Sequence, residues 1–322
     1  MVAHLLRSMA SSKPNRGLVS EAVYNERKKK IVLTGGTGLL GARVLALLSA
    51  RHEVHALVRV TPQYPSAGVH YHRVNLSDSW STDDMPPDVD AIIHLAQSQH
   101  AKEYADCAMD IFSVNTGSTA KLLHYAVKAG ARHFILASTG GLYGAQPEPI
   151  TESTRIEPPR GKLKYYFSTK HAAELLADAY AESLTVLTLR PFFIYGPGQR
   201  ESMLIPRLID SVRNRRPIML QGDAGITINP IHVDDAAAAV EAGLDVAESR
   251  AINVAGPAAI SLREIAERIG AGLGVEPVYD IDCKRSECIV ADITEMRNFL
   301  VTPTIEFATG VLSVLRHERG GA

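Results

Sequence analysis

Residues 31–41 read Ile-Val-Leu-Thr-Gly-Gly-Thr-Gly-Leu-Leu-Gly, and Ala42-Arg43-Val44-Leu45-Ala46-Leu47-Leu48 follows at once. A short apolar run ends in glycines and gives way to apolar residues at helical spacing, so the stretch reads as strand, tight turn and helix. Glycines 35, 38 and 41 form a G-x-x-G-x-x-G series. In the related dinucleotide fingerprint, such glycines permit the tight turn, the close approach of backbone to a pyrophosphate, and close packing of helix on strand. The helix start then offers unpaired N–H groups and about half a positive charge to an anion. A glycine-rich turn that binds nothing is the plainer alternative; the strand before it and the helix after it argue for the dinucleotide.

The chain has 322 residues, 46% of them hydrophobic, which is enough for one large or two interlocked domains. Lysine plus arginine number 34 against 35 acidic residues, so no global field favours nucleic acid or an anionic membrane. Cys107, Cys283 and Cys288 are an odd, sparse set without zinc-type spacing, as expected in a reducing compartment. No apolar run approaches the roughly 20 residues needed to span a bilayer. The expectation is a soluble, cytoplasmic protein with a small-molecule substrate, no metal, no nucleic acid and no membrane.

Residues 1–29 are polar and without sustained periodicity, a flexible arm or the product of an upstream start codon. Glu53 to Arg59 is a second strand. An acid at its end would accept from the ribose hydroxyls of NAD, whereas an arginine suits the 2′-phosphate of NADP. Arg59 stands there without an acid, so the sequence leans to NADP over NAD, a solvated surface arginine being the alternative. Val69–Val74 is a third strand leading into Asn75-Leu76, and Val89–Ala96 a fourth. Asp106–Gly130 reads as one helix and His133–Ala137 as a fifth strand. Tyr166–Glu182 is a helix, and Thr185–Arg190 a strand. Strands alternating with helices imply right-handed crossovers and a parallel sheet. The fold class is α/β, a Rossmann-type doubly wound parallel sheet with a smaller interleaved C-terminal lobe. Ligands of such sheets bind beyond the carboxyl ends of the strands. That places Gly35, Arg59, Ala96, Thr139 and Arg190 around one crevice.

Beyond Pro191 regularity breaks. Ser202–Asn214 and Val233–Leu244 read as helices, the second capped by Asp234 or Asp235, which explains His232-x-Asp234-Asp235 without a metal. Ser261 caps another helix, with Glu264 three residues on. Cys283 and Cys288 fall in a charged loop, and His94 is a satisfied core histidine. The expected division is an arm over 1–29, a dinucleotide-binding domain over 30–190 plus about 232–256, and a substrate lobe over 191–231 and 257–322.

Together Thr34–Gly41, His94-Leu95-Ala96, Ser138-Thr139 with Tyr143-Gly144, Tyr166-x-x-x-Lys170, Leu189-Arg190-Pro191, Tyr195–Gln199 and His232–Asp235 resemble the extended short-chain dehydrogenase/reductase family, the NAD-dependent epimerase/dehydratase group, over about residues 30–311. Tyr24 and Lys28 also fit Tyr-x-x-x-Lys, but they precede the first strand. Tyr166 and Lys170 lie on the helix before the strand at Thr185, four residues apart on one face. The lysine cation is expected to lower the phenol from its usual value near 10 toward a useful acid/base. The resemblance implies that Tyr166 exchanges the substrate proton, Lys170 binds the nicotinamide ribose and tunes Tyr166, and Thr139 hydrogen-bonds the reacting oxygen. It implies a dinucleotide held by Gly35, Thr37, Gly38, Leu39, Leu40 and Gly41, by Arg59, Asn75 and Leu76, by Leu95 and Ala96, and by Tyr166, Lys170 and Pro191. Gln97, Gly140, Phe193 and Arg285 would face substrate. A homodimer pairing the helices near 116–129 and 166–182 is also implied.

Three departures narrow this. Gly140-Gly141 replaces the acidic pair that dehydratases place after the catalytic threonine, which argues against a 4,6-dehydratase. Phe193 stands where many relatives have an asparagine near the substrate. Ile226–Pro230 lacks the usual diphosphate-binding arginine, leaving Arg285 as a substitute or as one half of a surface ion pair. The expected activity is an NAD(P)-dependent ketoreductase or 4-epimerase acting on a nucleotide-linked sugar. A non-catalytic dinucleotide sensor, or a reductase of another carbonyl, is the alternative.

Overall fold

The computed structural model describes residues 27–157 and 160–320; the expected arm, up to residue 26 and including Tyr24, lies outside them. The leading half alternates strand and helix: β1 (Lys30–Thr34), α1 (Leu39–Ser49), β2 (Glu53–Val58), β3 (Val69–Arg73), β4 (Ala91–His94), α2 (Tyr104–Phe112), α3 (Ser118–Lys128), β5 (His133–Ala137), α4 (Lys164–Asp178) and β6 (Thr185–Pro191). Then follow β7 (Ile194–Tyr195), α5 (Leu204–Arg213), β8 (Ile218–Gln221), β9 (Thr227–Ile228), β10 (Ile231–His232), α6 (Val233–Ala242) and β11 (Arg250–Val254). The chain ends with β12 (Ile260–Ser261), α7 (Leu262–Leu273), β13 (Tyr279–Asp282), β14 (Cys288–Ile289), α8 (Thr294–Phe299) and α9 (Phe307–Gly320). No helix among the described residues is long and apolar enough to cross a membrane.

The central sheet has seven strands in the order β11-β6-β5-β4-β1-β2-β3, every pair parallel. The chain starts at β1, winds outward to β3, and crosses back to β4; the reversal leaves a crevice beyond the ends of β1 and β4. Both faces are covered, so the inner strands read as near-continuous apolar runs. Val44, Leu45 and Leu48 of α1 meet Ala236, Ala237 and Val240 of α6 on one face. Leu122, Leu123 and Ala126 of α3 and Ala173 and Ala177 of α4 cover the other. A third cluster joins α5, α7 and α9, including Ile209, Ile269 and Val311. Phe193 packs against both this cluster and the α1/α6 side of the sheet.

Four expectations change. The single helix over 106–130 is two helices joined by a π-helical turn, Ser113–Gly117, with a further break at Cys107 (φ −114°, ψ 21°). The turn directs polar groups at α4: Asn115 Nδ2 donates to Thr169 Oγ1 (3.0 Å) and Thr116 Oγ1 to the Thr169 carbonyl (2.9 Å). Tertiary hydrogen bonds therefore override the uniform 3.6 period. The fourth strand ends at His94, because Ala96 N–H donates to Thr34 Oγ1 (3.1 Å) instead of continuing the ladder. Neither Asp234 nor Asp235 caps α6; His232 is the N-cap, its Nδ1 accepting from Asp234 N–H at 3.3 Å. Asp234 pairs with Arg43 (3.2 Å) and Asp235 accepts from the amides of Thr304 (3.1 Å) and Ile305 (2.8 Å). Cys288 lies in β14, paired with Thr227 of β9, not in a loop. The Ser261–Glu264 capping box at α7 is as the sequence reads.

Candidate active site

The site begins with how closely β1, the glycine turn and α1 approach one another. Gly35 has φ +73°, and a Cβ there would stand 2.7 Å from the Ala96 amide nitrogen. At Gly41 a Cβ would meet the Gly35 carbonyl oxygen at 2.0 Å. Only hydrogen fits at both positions, so the turn lies flat between α1 and the end of β4. Gly38 is the N-cap of α1; no side chain caps that helix and its first turn holds no acid. Uncapped N–H groups and a helix dipole at the sheet's switch point fit a dinucleotide pyrophosphate. Thr37 is exposed there and Leu39 and Leu40 are half-buried.

Beneath the turn runs one chain of hydrogen bonds. Ala96 N–H donates to Thr34 Oγ1, which lies 2.6 Å from His94 Nδ1; His94 Nε2 is 3.0 Å from Ser118 Oγ, and Ser118 donates to the Val114 carbonyl at 2.6 Å. Ser118 has spent its proton, so it accepts from Nε2–H; Nδ1 then accepts from Thr34. This one pattern satisfies every member with a neutral imidazole. Burial, reinforced by the Lys170 charge, pushes His94 down to about 3. The histidine is a core residue, and it pins the ends of β1 and β4 to α3.

Tyr166 and Lys170 both face the carboxyl end of β5, from the first two turns of α4. The Tyr166 hydroxyl donates to Gln97 Oε1 at 2.7 Å and also interacts with the Thr139 side chain. Thr139 Oγ1 accepts from Gly141 N–H at 3.2 Å. The fully buried Lys170 donates through Nζ to the Ala137 carbonyl at 2.5 Å. Burial pushes the Lys170 ammonium down to about 8, the Glu174 charge opposing. The expected tuning of the phenol by this lysine is not what the structure shows. Burial holds Tyr166 well above the usual phenol range, with the Thr139 hydrogen bond opposing. One helical turn deeper, the ammonium is engaged by the β5 backbone.

Arg190, expected at the crevice, is turned beneath α4. It holds Glu174 through Nε (3.1 Å) and Nη2 (2.6 Å), and its Nη1 donates to Tyr143 Oη at 2.5 Å. Tyr143 in turn donates to Asn253 Oδ1 (3.2 Å), tying α4 through β6 to β11. Sequence reading missed this network; Glu174 four residues after Lys170 was the only local sign of it.

Aromatic rings occupy the ground beside Thr139. A Cβ on Gly140 would lie 2.3 Å from the Phe192 ring, and one on Gly141 2.5 Å from the Phe167 ring. Phe193 follows with φ 47°, a conformation rarely held by a bulky residue. Its ring, expected to face substrate, is packed between the sheet and the third cluster. Leu95 and Pro191 are half-buried at the ends of β4 and β6.

Exposed at the end of β2, Arg59 meets a second arginine. The Gln99 side-chain oxygen, in the orientation that satisfies both donors, accepts from Arg59 (2.5 Å) and Arg200 (2.8 Å). Neither guanidinium forms an ion pair among the described residues. Asn75 turns into its own loop, bonding Asp78 (2.8 Å) and Ser77 (3.1 Å), and Leu76 is buried. Arg285 stands exposed in the β13–β14 loop, where Ser286 Oγ donates to the Gln221 carbonyl (2.5 Å) and fastens that loop to β8.

Residues 31–255 match the model of the NAD dependent epimerase/dehydratase family. The probable UDP-glucuronate 4-epimerase of Rhizobium meliloti (strain 1021) is 27% identical over 225 residues, 64% of this chain and 65% of that protein. The UDP-glucuronate 4-epimerase of Thermodesulfobacterium geofontis (strain OPF15) is 30% identical over 187 residues, 56% of this chain and 57% of that one. The matched stretch thus spans less than two thirds of either relative. The structure of MoeE5 in complex with UDP-glucuronic acid and NAD is similar with a TM-score of 0.79 at 25% identity, covering 91% of this chain and all of that one.

Proposed function

The chain belongs to the NAD dependent epimerase/dehydratase family, and we propose that it is an NAD(P)-dependent oxidoreductase acting on a keto or hydroxyl carbon of a nucleotide-linked sugar, as ketoreductase or 4-epimerase. The observation that carries this reading is the Tyr166 hydroxyl beside Thr139 at the carboxyl end of β5, bonded to Gln97 one residue past the Ala96 amide against which Gly35 packs. Gly35, Gly38 and Gly41 cradle the pyrophosphate of a dinucleotide whose nicotinamide ring supplies or accepts the hydride. Tyr166 gives its proton to the reduced substrate oxygen or takes it from a hydroxyl. Thr139 donates to a carbonyl or accepts from an alcohol. A phenol held protonated is the form that reduction needs, which favours ketoreduction. Glycine at 140 and 141, each backed by a ring, leaves no acid for a 4,6-dehydratase.

NADP is the preferred partner in this reading, because Arg59 and Arg200 meet at the end of β2 without a carboxylate. Residues 30–190 and about 232–256 hold the dinucleotide, and residues 191–231 and 257–322 close over the sugar. Three unpaired cysteines accord with a cytoplasmic location. A homodimer pairing the helices near 116–129 and 166–182 would cover Val127 and Leu175, 44% and 63% exposed on α3 and α4.

A dinucleotide-binding sensor is the second reading, favoured by Lys170 being bound to a backbone carbonyl rather than to the phenol. The test is a panel of UDP- and dTDP-linked hexoses, hexuronates and 4-keto sugars, with simple ketones, assayed with NADPH and NADH. The nucleotide retained on the purified protein is measured in parallel. Turnover of a sugar nucleotide supports the enzyme, and tightly retained dinucleotide supports the epimerase form. Inactivity toward the whole panel supports the sensor.

A further inference from the structure

Far from the crevice, Glu53, His55, His70 and His72 occupy one face of the β2–β3 pair. Glu53 and His55 alternate along β2, as His70 and His72 do along β3, and His55 lies directly opposite His70 in the parallel register. β3 is the sheet's edge strand. His55 stacks on His70 (4.7 Å, 18°) and on His72 (5.2 Å, 29°). Its Nε2 is 3.0 Å from Glu53 Oε1 and its Nδ1 2.9 Å from His72 Nε2. Donor atoms of Glu53, His55 and His70 all lie within 4.8 Å of one another. His55 is 9% exposed, while His70 faces solvent. The proposed reaction uses none of these groups.

We propose that Glu53, His55 and His70 bind a divalent cation of the zinc type at the outer edge of the sheet, with His72 orienting the His55 ligand. One carboxylate and two imidazoles are a donor set suited to Zn2+. Tetrahedral ligands at the usual zinc distances stand roughly 3.4 Å apart, so the donors close by no more than about 1.4 Å. Solvent-facing His70 has room to make that movement. Glu53, whose Oε1 already stands 3.0 Å from His55 Nε2, supplies the negative ligand. Ligation through His55 Nε2 puts the imidazole proton on Nδ1, where His72 Nε2 accepts it. That is the outer hydrogen bond a ligating histidine needs to fix its tautomer. The cation would clamp β3 to β2, fastening an edge that has a neighbour on one side only. This inference does not depend on the proposed enzymatic activity.

Titration calorimetry of Zn2+ into the chelator-stripped full chain tests it, with the thermal midpoint followed in parallel. The expected result is one site per chain that stabilises the fold. His70→Ala, at an exposed position, and Glu53→Gln should each weaken zinc binding about 100-fold, and His72→Ala about 10-fold. Far-ultraviolet circular dichroism and dinucleotide binding check that the variants fold. Cys107→Ser should bind zinc unchanged, because the other cluster, His100–Glu103–Cys107, is not the site proposed. A Co2+ derivative should show the visible bands of a nitrogen/oxygen site and no thiolate charge-transfer band. Unchanged affinity in both His70→Ala and Glu53→Gln overturns the proposal. So does binding that is lost in Cys107→Ser, or a chain that takes up no zinc.

Discussion

The Tyr166 hydroxyl donates to Gln97 Oε1 at 2.7 Å, joining α4 to the segment that follows β4. A substrate oxygen reaching the phenol has to take over that bond, so Gln97 competes with substrate for Tyr166. Tyr166→Phe removes the proton and is expected to lower kcat by about 10²–10⁴-fold while dinucleotide affinity stays unchanged. Gln97→Ala should act on KM more than on kcat. Steady-state kinetics and a binding titration separate the two, and full activity in Tyr166→Phe would falsify the assignment.

Lys170 carries a buried charge, and that charge weakens the fold. Between about pH 8 and the ordinary lysine value of 10.5 the unfolded chain binds a proton that the folded chain has released. Its contribution therefore raises stability with increasing pH across that window. Lys170→Met should flatten this rise and, by removing the buried ammonium, raise stability at neutral pH by about 1–3 kcal/mol. Turnover should fall in the same variant. Denaturant unfolding of both proteins at several pH values supplies the difference curve.

For His94 the window is acidic. Its folded value lies near 3 against an ordinary 6.5, so the unfolded chain binds the extra proton between those limits and stability is lost as pH falls through them. The loss approaches roughly 5 kcal/mol at the acid end. His94→Gln removes the titrating group and should shrink the slope of stability against pH relative to the parent. An unchanged slope would mean that other groups carry the acid sensitivity.

Gly140 and Phe192 should couple. Gly140→Ala drives a methyl group into the Phe192 ring and is expected to cost about 1–3 kcal/mol. In a Phe192→Ala background the space is open and the penalty should disappear. A double-mutant cycle on unfolding free energies reads the coupling, and simple additivity would show that the ring yields freely.

Arg59→Ala should weaken NADPH binding about 10- to 100-fold, as expected for losing a charged hydrogen bond, and leave NADH nearly unaffected. Arg200→Ala should act in the same direction. Fluorescence titration with both nucleotides is the measurement. Tighter NADH than NADPH binding in the parent would reverse the NADP preference.

Much of the fold was legible because local rules and the global answer agree. Glycines 35 and 41 mark a turn that no side chain could enter. Apolar runs at β4 and β5 announce buried parallel strands, and Ser261 with Glu264 announces a helix start. The same rules failed at 113–117, where helical periodicity continued but hydrogen bonds from Asn115 and Thr116 to Thr169 selected a π turn.

By itself the sequence determined the alternation of strand and helix, the tight glycine turn after β1, and the presence of Tyr166 and Lys170 on one helical face. All of these follow from neighbours a few residues apart. Tertiary structure alone decided that Lys170 spends its proton on Ala137, that Arg190 clasps Glu174, that Phe192 fills the space over Gly140, and that His55 lies opposite His70. Those pairings join residues distant in the chain, and only packing and strand register bring them together.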